Sequence, residues 1–302
     1  MIAPAQRGSV VVPGNFDGVH LGHRALIAHA RAMAAAPRGG VVAGERPSGG
    51  GAPADSASTE RSAIQLRVTA LTFDPHPLAF LAPERAPTPL CTLERRVELL
   101  RGAGCDDVHV AHFDASFAAQ SPDQFVRRVL IDGVAARAVV VGDDFRFGAG
   151  RAGDLAALRA FGRHHGFEVV CVEAVLTGAE RVSSSRVRAA VSSGDVVAAA
   201  QLLGRLHDAE GEVVRGDHRG RALGYPTANL RVDPVLLPAD GVYATLVRVV
   251  GDAGGAPLLH GVANLGVRPT FGAGRSLEVH LLDYDADLYG RRLRVAFAAR
   301  LR

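Results

Sequence analysis

The sequence predicts a two-part α/β chain: a parallel sheet covered by helices, followed by a small antiparallel β unit. Three observations carry this. Up to about residue 206, near-continuous apolar runs alternate with amphipathic stretches of helical period, the pattern of strands buried on both faces. Beyond that point segments alternate with period two and are separated by Gly-, Pro- and Asp-rich turns, as in a small antiparallel barrel or sandwich. The 302 residues are 48% apolar, enough to fill two cores.

Taken in order, "SVVV" (9–12) reads as a buried strand, followed by a glycine turn and an amphipathic helix over about 20–36. Residues 37–62 are crowded with Gly, Pro, Ser and Ala without period and read as a disordered surface insertion. "RVTALTF" (67–73) is a strand ending in "DPHP", and "LERRVELLRGAG" (93–104) a helix. "DDVHVAHF" (106–113) reads as strand, and "SPDQFVRRVLIDG" (121–133) as a helix with a Ser-Pro start. "ARAVVVG" (136–142) is a strand, "LAALRAFGRHHG" (155–166) a helix stopped by glycine, and "FEVVCVEAV" (167–175) a strand. Residues 184–205 read as one helical connector. The period-two segments then begin at 211, 241, 258, 277 and 293. No internal repeat is present.

Composition narrows the function. No uncharged apolar run reaches the roughly 18 residues of a membrane span, and no signal-peptide pattern opens the chain, so a cytoplasmic protein is expected. Cys91, Cys105 and Cys171 are an odd number without C-x-x-C spacing, which argues against disulfides and thiolate metal sites. A formal net charge of +3, with no Arg-rich run or aromatic interleaving, does not point to nucleic acid. The chain contains no lysine. Walker-type lysines, Schiff bases and lysine bases are therefore excluded, and phosphate must be handled by arginine, histidine, backbone N–H groups or a metal.

The motifs "GNFDGVH", "FDPHP" and "GDDFRFG" all fall at carboxyl ends of predicted strands, where ligands bind in parallel sheets. In "GNFDGVHLGH" (14–23), His20 and His23 stand three apart on a first helical turn and share a face. Gly14 permits close backbone approach, and Asn15 or Asp17 is placed to cap the helix. Three readings fit: a cap with surface histidines, a metal site, or a phosphate site at a helix N-terminus. Zinc would want i, i+4 spacing and a third ligand, and the strand–turn–helix context favours phosphate.

"GNFDGVHLGH" resembles the H-x-G-H signature of adenylyl- and cytidylyltransferases, in the form seen in bacterial FAD synthetases. "LTFDPHP" (71–77), "VVVGDDFRFGAGRAGD" (139–154) and "RVSSSRVRAAVSSGD" (181–195) are similar to further segments of that family, in the same order. The resemblance implies a Rossmann-like nucleotidyltransferase domain in which the FMN phosphate attacks the α-phosphorus of ATP. It implies that His20 and His23 steady the reacting phosphates, with Mg²⁺ sharing their charge. Gly14, Asn15, Phe16, Asp17, His76, Asp144 and Arg146 would line the nucleotide and flavin-phosphate site. The last segment resembles a flexible serine-rich loop, in which Ser183, Ser184, Ser185 and Arg188 would hold the β- and γ-phosphates.

A second candidate lies in "GEVVRGDHRGRALGYPTANL" (211–230). Gly216, Gly220 and Gly224 permit a loop whose N–H groups wrap a phosphate, or form a plain hairpin. Thr227 and Asn229 alternate on an extended segment and offer hard oxygens to Mg²⁺. In "LEVHLLDY", period two puts Glu278, His280 and Leu282 on one face. These segments, with "LPADGVYA" (237–244) and "GVANLGVRPTFG" (261–272), resemble riboflavin kinases. The resemblance implies a small antiparallel β-barrel, with Glu278 as general base on the riboflavin 5′-hydroxyl and Pro226, Thr227, Asn229 and Arg268 binding ATP or flavin.

The expected organisation is an FMN adenylyltransferase domain over 1–189, a connector over 190–206 and a riboflavin kinase domain over 207–302. The family pattern continues into a C-terminal helix, of which this sequence stops short, and Pro13 stands where a small apolar residue is usual. A monomer or weak homo-oligomer acting on small molecules is expected, with ATP, Mg²⁺, riboflavin, FMN and FAD as its ligands. The competing readings are an H-x-G-H enzyme with another phosphorylated acceptor and a non-catalytic flavin- or nucleotide-binding module.

Overall fold

The computed structural model describes residues 8–36, 66–215, 227–251, 257–267 and 275–302. The predicted insertion at 37–62 lies outside them.

The first half is a five-stranded sheet of β1 (Ser9–Pro13), β2 (Arg67–Asp74), β3 (Asp107–His112), β4 (Ala136–Gly142) and β5 (Glu168–Val172), in the order β3-β2-β1-β4-β5. Every adjacent pair is parallel. Alternation along β1 divides the two cores. Val10 and Val12 pack with Ile27, Ala30 and Ala34 of α1 (Leu21–Ala35), whereas Val11 faces Phe125, Val126, Val129 and Leu158 on the other side. Pro13 lacks an N–H, and the next residue, Gly14, donates to Leu71 O at 2.9 Å instead, so the central strand keeps its pairing.

The remaining helices of this half are α2 (Pro77–Leu81), α3 (Leu93–Gly102), α4 (Ala115–Ala118), α5 (Pro122–Phe125) and α6 (Leu155–His165). The helix expected over 121–133 is α5 running on into a π-helical stretch, Val126–Gly133, whose wider turns still present Val126, Val129 and Leu130 to the core. α6 stops where expected, with Gly166 left-handed at φ 76°.

A short hairpin of β6 (Leu176–Thr177) and β7 (Glu180–Arg181) leads into α7 (Ser184–Ser193) and α8 (Val196–Leu203). The single connector helix expected over 184–205 is thus two. Gly194 sits at φ 82°, which ends α7, and Asp195 caps α8 through a bond from Ala198 N. The serine-rich segment is not a loop: Ser183 is the cap of α7, and Ser184 and Ser185 lie in its first turn.

Six strands close a barrel in the order β10-β11-β12-β9-β8-β13, which decides between barrel and sandwich. They are β8 (His207–Val214), β9 (Thr227–Val232), β10 (Gly241–Val250), β11 (Leu259–Val267), β12 (Arg275–Leu281) and β13 (Arg292–Arg300). The strand expected from 211 starts at His207, because His207 and Asp208 are buried by partners that periodicity does not reveal. The barrel and the sheet half meet along α3. Arg95 binds Asp208 through two bonds of 3.0 and 2.7 Å, and Arg294 reaches Glu98 at 2.6 Å. Leu236 N donates to Pro89 O at 2.8 Å beside them.

Candidate active site

The strand order reverses between β1 and β4, and the loops leaving these two strands flank the resulting crevice. The loop after β1 turns sharply: Phe16 and Val19 hold positive φ angles of 52° and 42°, with Phe16 wholly buried. This turn delivers His20 to the cap of α1, where its Nδ1 accepts from His23 N at 3.4 Å. Neither Asn15 nor Asp17 caps the helix. His20 and His23 stack with ring centroids 3.6 Å apart and 15° between planes, and the edge of Phe16 meets His23 at 5.1 Å.

Gly22 makes the stack possible. A Cβ there would stand 3.1 Å from Cε1 of His20, so a side chain would push the ring away. Gly22 is the glycine of the H-x-G-H resemblance, although helical period alone does not set it apart from its neighbours.

Burial holds both imidazoles neutral. It brings His20 down to about 4, opposed by its backbone bond and reinforced by Arg181 and Arg188. His23 lies well below the ordinary histidine range, again from burial, with His20 and Arg96 adding to the effect. Because Nδ1 of His20 is an acceptor, its proton sits on Nε2 and is available as a donor. Among the described residues Nδ1 of His23 is buried with no hydrogen-bond partner.

Around the histidines the predicted residues divide. His76 caps α2 by accepting from Leu78 N at 3.2 Å, and its Nε2 lies 3.2 Å from the exposed Asn15 amide. The peptide bond before Pro75 is cis. Asp144 is exposed and pairs with Arg181, which also binds Asp143. Arg146 points elsewhere, to Asp154 at 3.5 Å.

Asp17 is buried. It accepts from Leu90 N at 2.9 Å and from the Arg188 guanidinium, while Ser184 Oγ donates to the Asp17 carbonyl at 2.9 Å. Arg188 also donates to Thr88 O at 3.0 Å. Asp17 and Arg188 therefore tie the histidine turn to the start of α7, and their polar atoms are engaged with protein. Sequence reasoning passed over Arg96 and Arg181. Arg96 is buried, bonds Thr72 Oγ1 and Phe73 O at the end of β2, and lies near both His23 and His76. Nothing in its helical period separates it from Arg95 beside it.

On the barrel, Leu277, Val279 and Leu281 point inward, so Glu278 and His280 share the outer face of β12 as period two predicted. Leu282 falls beyond the strand. Register sets Glu278 opposite Asn229 on β9 and opposite Asn264 on β11, with His280 opposite Thr227. Asn264 was not foreseen, although its parity within "GVANLG" carries the signal. Gly216, Gly220, Gly224, Pro226 and Arg268 lie outside the described residues.

Among the described residues no group of three His, Cys, Asp or Glu is arranged to hold a metal ion. The oxygens of Thr227 and Asn229 beside Glu278 suit a hard cation that arrives with a nucleotide and takes most of its ligands from phosphate and water.

Comparison with known proteins places these two regions. A family model described as FAD synthetase matches residues 2–43 and 54–186, and one described as riboflavin kinase matches 203–302. The chain is 38% identical over 298 residues to the bifunctional riboflavin kinase/FMN adenylyltransferase of Escherichia coli (strain K12), covering 98% of this chain and 85% of the relative. It is 38% identical over 305 residues to the protein of the same name from Pseudomonas fluorescens, covering 100% of this chain and 87% of that one. A crystal structure from Streptococcus pneumoniae, described as a macrolide-efflux protein, superposes with a TM-score of 0.79 at 28% identity, covering 99% of this chain and 87% of the other. No helix among the described residues is long and apolar enough to cross a membrane.

Proposed function

The chain belongs to the family of bifunctional riboflavin kinase/FMN adenylyltransferases, and from that premise we propose how its residues divide the work. It is a transferase that phosphorylates riboflavin to FMN and adenylylates FMN to FAD, consuming ATP in both reactions.

In the sheet half, the FMN phosphate attacks the α-phosphorus of ATP and pyrophosphate departs. Negative charge grows at the reacting phosphate, and preorganised donors there lower the barrier. The observation that carries this reading is the stacked, neutral His20–His23 pair at the start of α1, with Arg181, Arg188 and Arg96 close enough to depress its basicity. The imidazoles donate hydrogen bonds without having to give up a proton. Ser183, the cap of α7, and Ser185, in its first turn, stand at the N-terminal end of that helix, where N–H groups and hydroxyls would hold the β- and γ-phosphates. Asp17 and Arg188 keep that turn seated against the histidines. Asn15, His76 and Asp144 border the flavin-phosphate side, and Arg181 supplies cationic charge between them.

In the barrel half, Glu278 takes the proton of the riboflavin 5′-hydroxyl as that oxygen attacks the γ-phosphorus of ATP. Thr227 and Asn229 hold Mg²⁺ with the nucleotide; when bound, the ion neutralises phosphate charge. Asn229 and Asn264 flank Glu278 by register and orient its carboxylate. The family reading further expects a cytoplasmic monomer or weak homo-oligomer without a nucleic-acid partner.

Incubation with riboflavin, ATP and Mg²⁺, followed by chromatographic separation of riboflavin, FMN and FAD, tests the assignment. FMN and then FAD are expected to accumulate. Failure to form FAD from supplied FMN would overturn the role given to the histidine site.

A further inference from the structure

Two adjacent side chains of α3 serve different halves of the molecule. Arg95 gives its donors to Asp208 of the barrel and to Glu98. Arg96, one residue on, turns into the sheet half and is 5% exposed. There its Nη1 donates twice, to Phe73 O at 2.9 Å and to Thr72 Oγ1 at 3.3 Å. Thr72 is wholly buried, and its hydroxyl extends the chain by donating to Asn15 O at 3.1 Å.

One nitrogen thus ties the ends of two strands together. Thr72 and Phe73 stand at the end of β2, just before Asp74-Pro75-His76, while Asn15 lies in the turn after β1. The two loops meet again nearer the surface, where His76 Nε2 lies 3.2 Å from the Asn15 amide. Buried polar links of this kind hold one arrangement, because breaking one leaves its neighbours without partners. Arg96 also lies near His23 and His76, so the tie is made beside the imidazoles.

Resting on the reading of the histidine site given above, we propose that Arg96 is a positioning residue for FMN adenylylation. It touches no reacting atom. Through Thr72 and Phe73 it holds Asn15 and His76 at the spacing that admits the flavin phosphate. The triphosphate end of ATP is assigned to the start of α7, which is seated through Asp17 instead. Loss of Arg96 therefore acts on FMN more than on ATP.

Steady-state FAD formation by the full chain, with FMN and ATP varied in turn, tests this. Arg96→Met is expected to raise the KM for FMN about tenfold and that for ATP less than about twofold. Arg96→Lys should stay within about threefold of wild type, since one ammonium can make both bonds that Nη1 makes. Thr72→Val keeps the Phe73 bond and should raise the KM for FMN about threefold. Combined with Arg96→Met it should add less than its separate effect, because both cut one chain of bonds. Equal rises in the two KM values, or a loss that lysine does not recover, overturn the proposal. If Arg96→Met does not fold, the FMN-selective effect of Thr72→Val decides the question. A wild type that forms no FAD from FMN would overturn the histidine site itself. An active wild type with Arg96→Met unchanged would overturn the role of Arg96 alone.

Discussion

The two proposed reaction centres hold their residues in place by different means. In the sheet half, the groups around His20 and His23 are fixed by packing: a stacked ring pair, a buried aspartate clamped between Leu90 N and Arg188, and a glycine that leaves room for an imidazole. In the barrel half, Asn229, Glu278 and Asn264 are aligned by strand register, on the outer face of a core that fills the interior. Packing lets a site be buried and electrostatically tuned, and makes it sensitive to single atoms. Register lets a site stay open to large substrates, and makes it sensitive to the identity of one functional group.

The largest expected effect isolates the barrel. Glu278→Ala should lower FMN formation from riboflavin by about 10²–10⁴-fold, the usual contribution of a general base, while FAD formation from supplied FMN continues. Chromatographic rates for the two steps measure the split, and equal loss of both would dissolve the contrast. Next, His23→Ala should reduce FAD formation by roughly 10²–10³-fold and spare FMN formation, as expected for one lost transition-state donor.

Acid sharpens the comparison from the stability side. His20 has a folded value near 4 against an ordinary 6.5, so between these pH values the unfolded chain binds the extra proton. Stability present above pH 6.5 is therefore lost as pH falls toward 4, by about 3 kcal/mol from this group. Urea unfolding of wild type and His20→Asn across that range should show the difference. A parallel pH dependence in the two proteins would contradict the burial of the ring.

The smallest change is Gly22→Ala, which should slow FAD formation about tenfold by displacing the His20 ring. Alanine favours helix over glycine, so thermal stability should not fall appreciably. An unchanged rate would mean that the ring position is not limiting.

The same division explains what the sequence made legible. Strand position, helix period and side-chain parity are local, and β4 (Ala136–Gly142), the stop at Gly166 and the outward face of Glu278 and His280 could all be read directly. The partners of Asp17 and Arg96 could not. Asp17 looked like a helix cap because it precedes a helix, yet its carboxylate is satisfied by residues 73 and 171 positions away. Gly194 looked like a small residue within one connector, and its left-handed conformation divides that connector in two.

The strict alternation along β12 has a consequence for tolerated change. Leu277, Val279 and Leu281 occupy the odd positions that fill the barrel, and Glu278 occupies the even one between them. A one-residue insertion or slip would turn the leucines and valine to solvent in the same stroke that swings the proposed base into the core. The interior thus proofreads the exterior against a one-residue slip: a barrel shifted by one cannot be both well folded and wrongly armed.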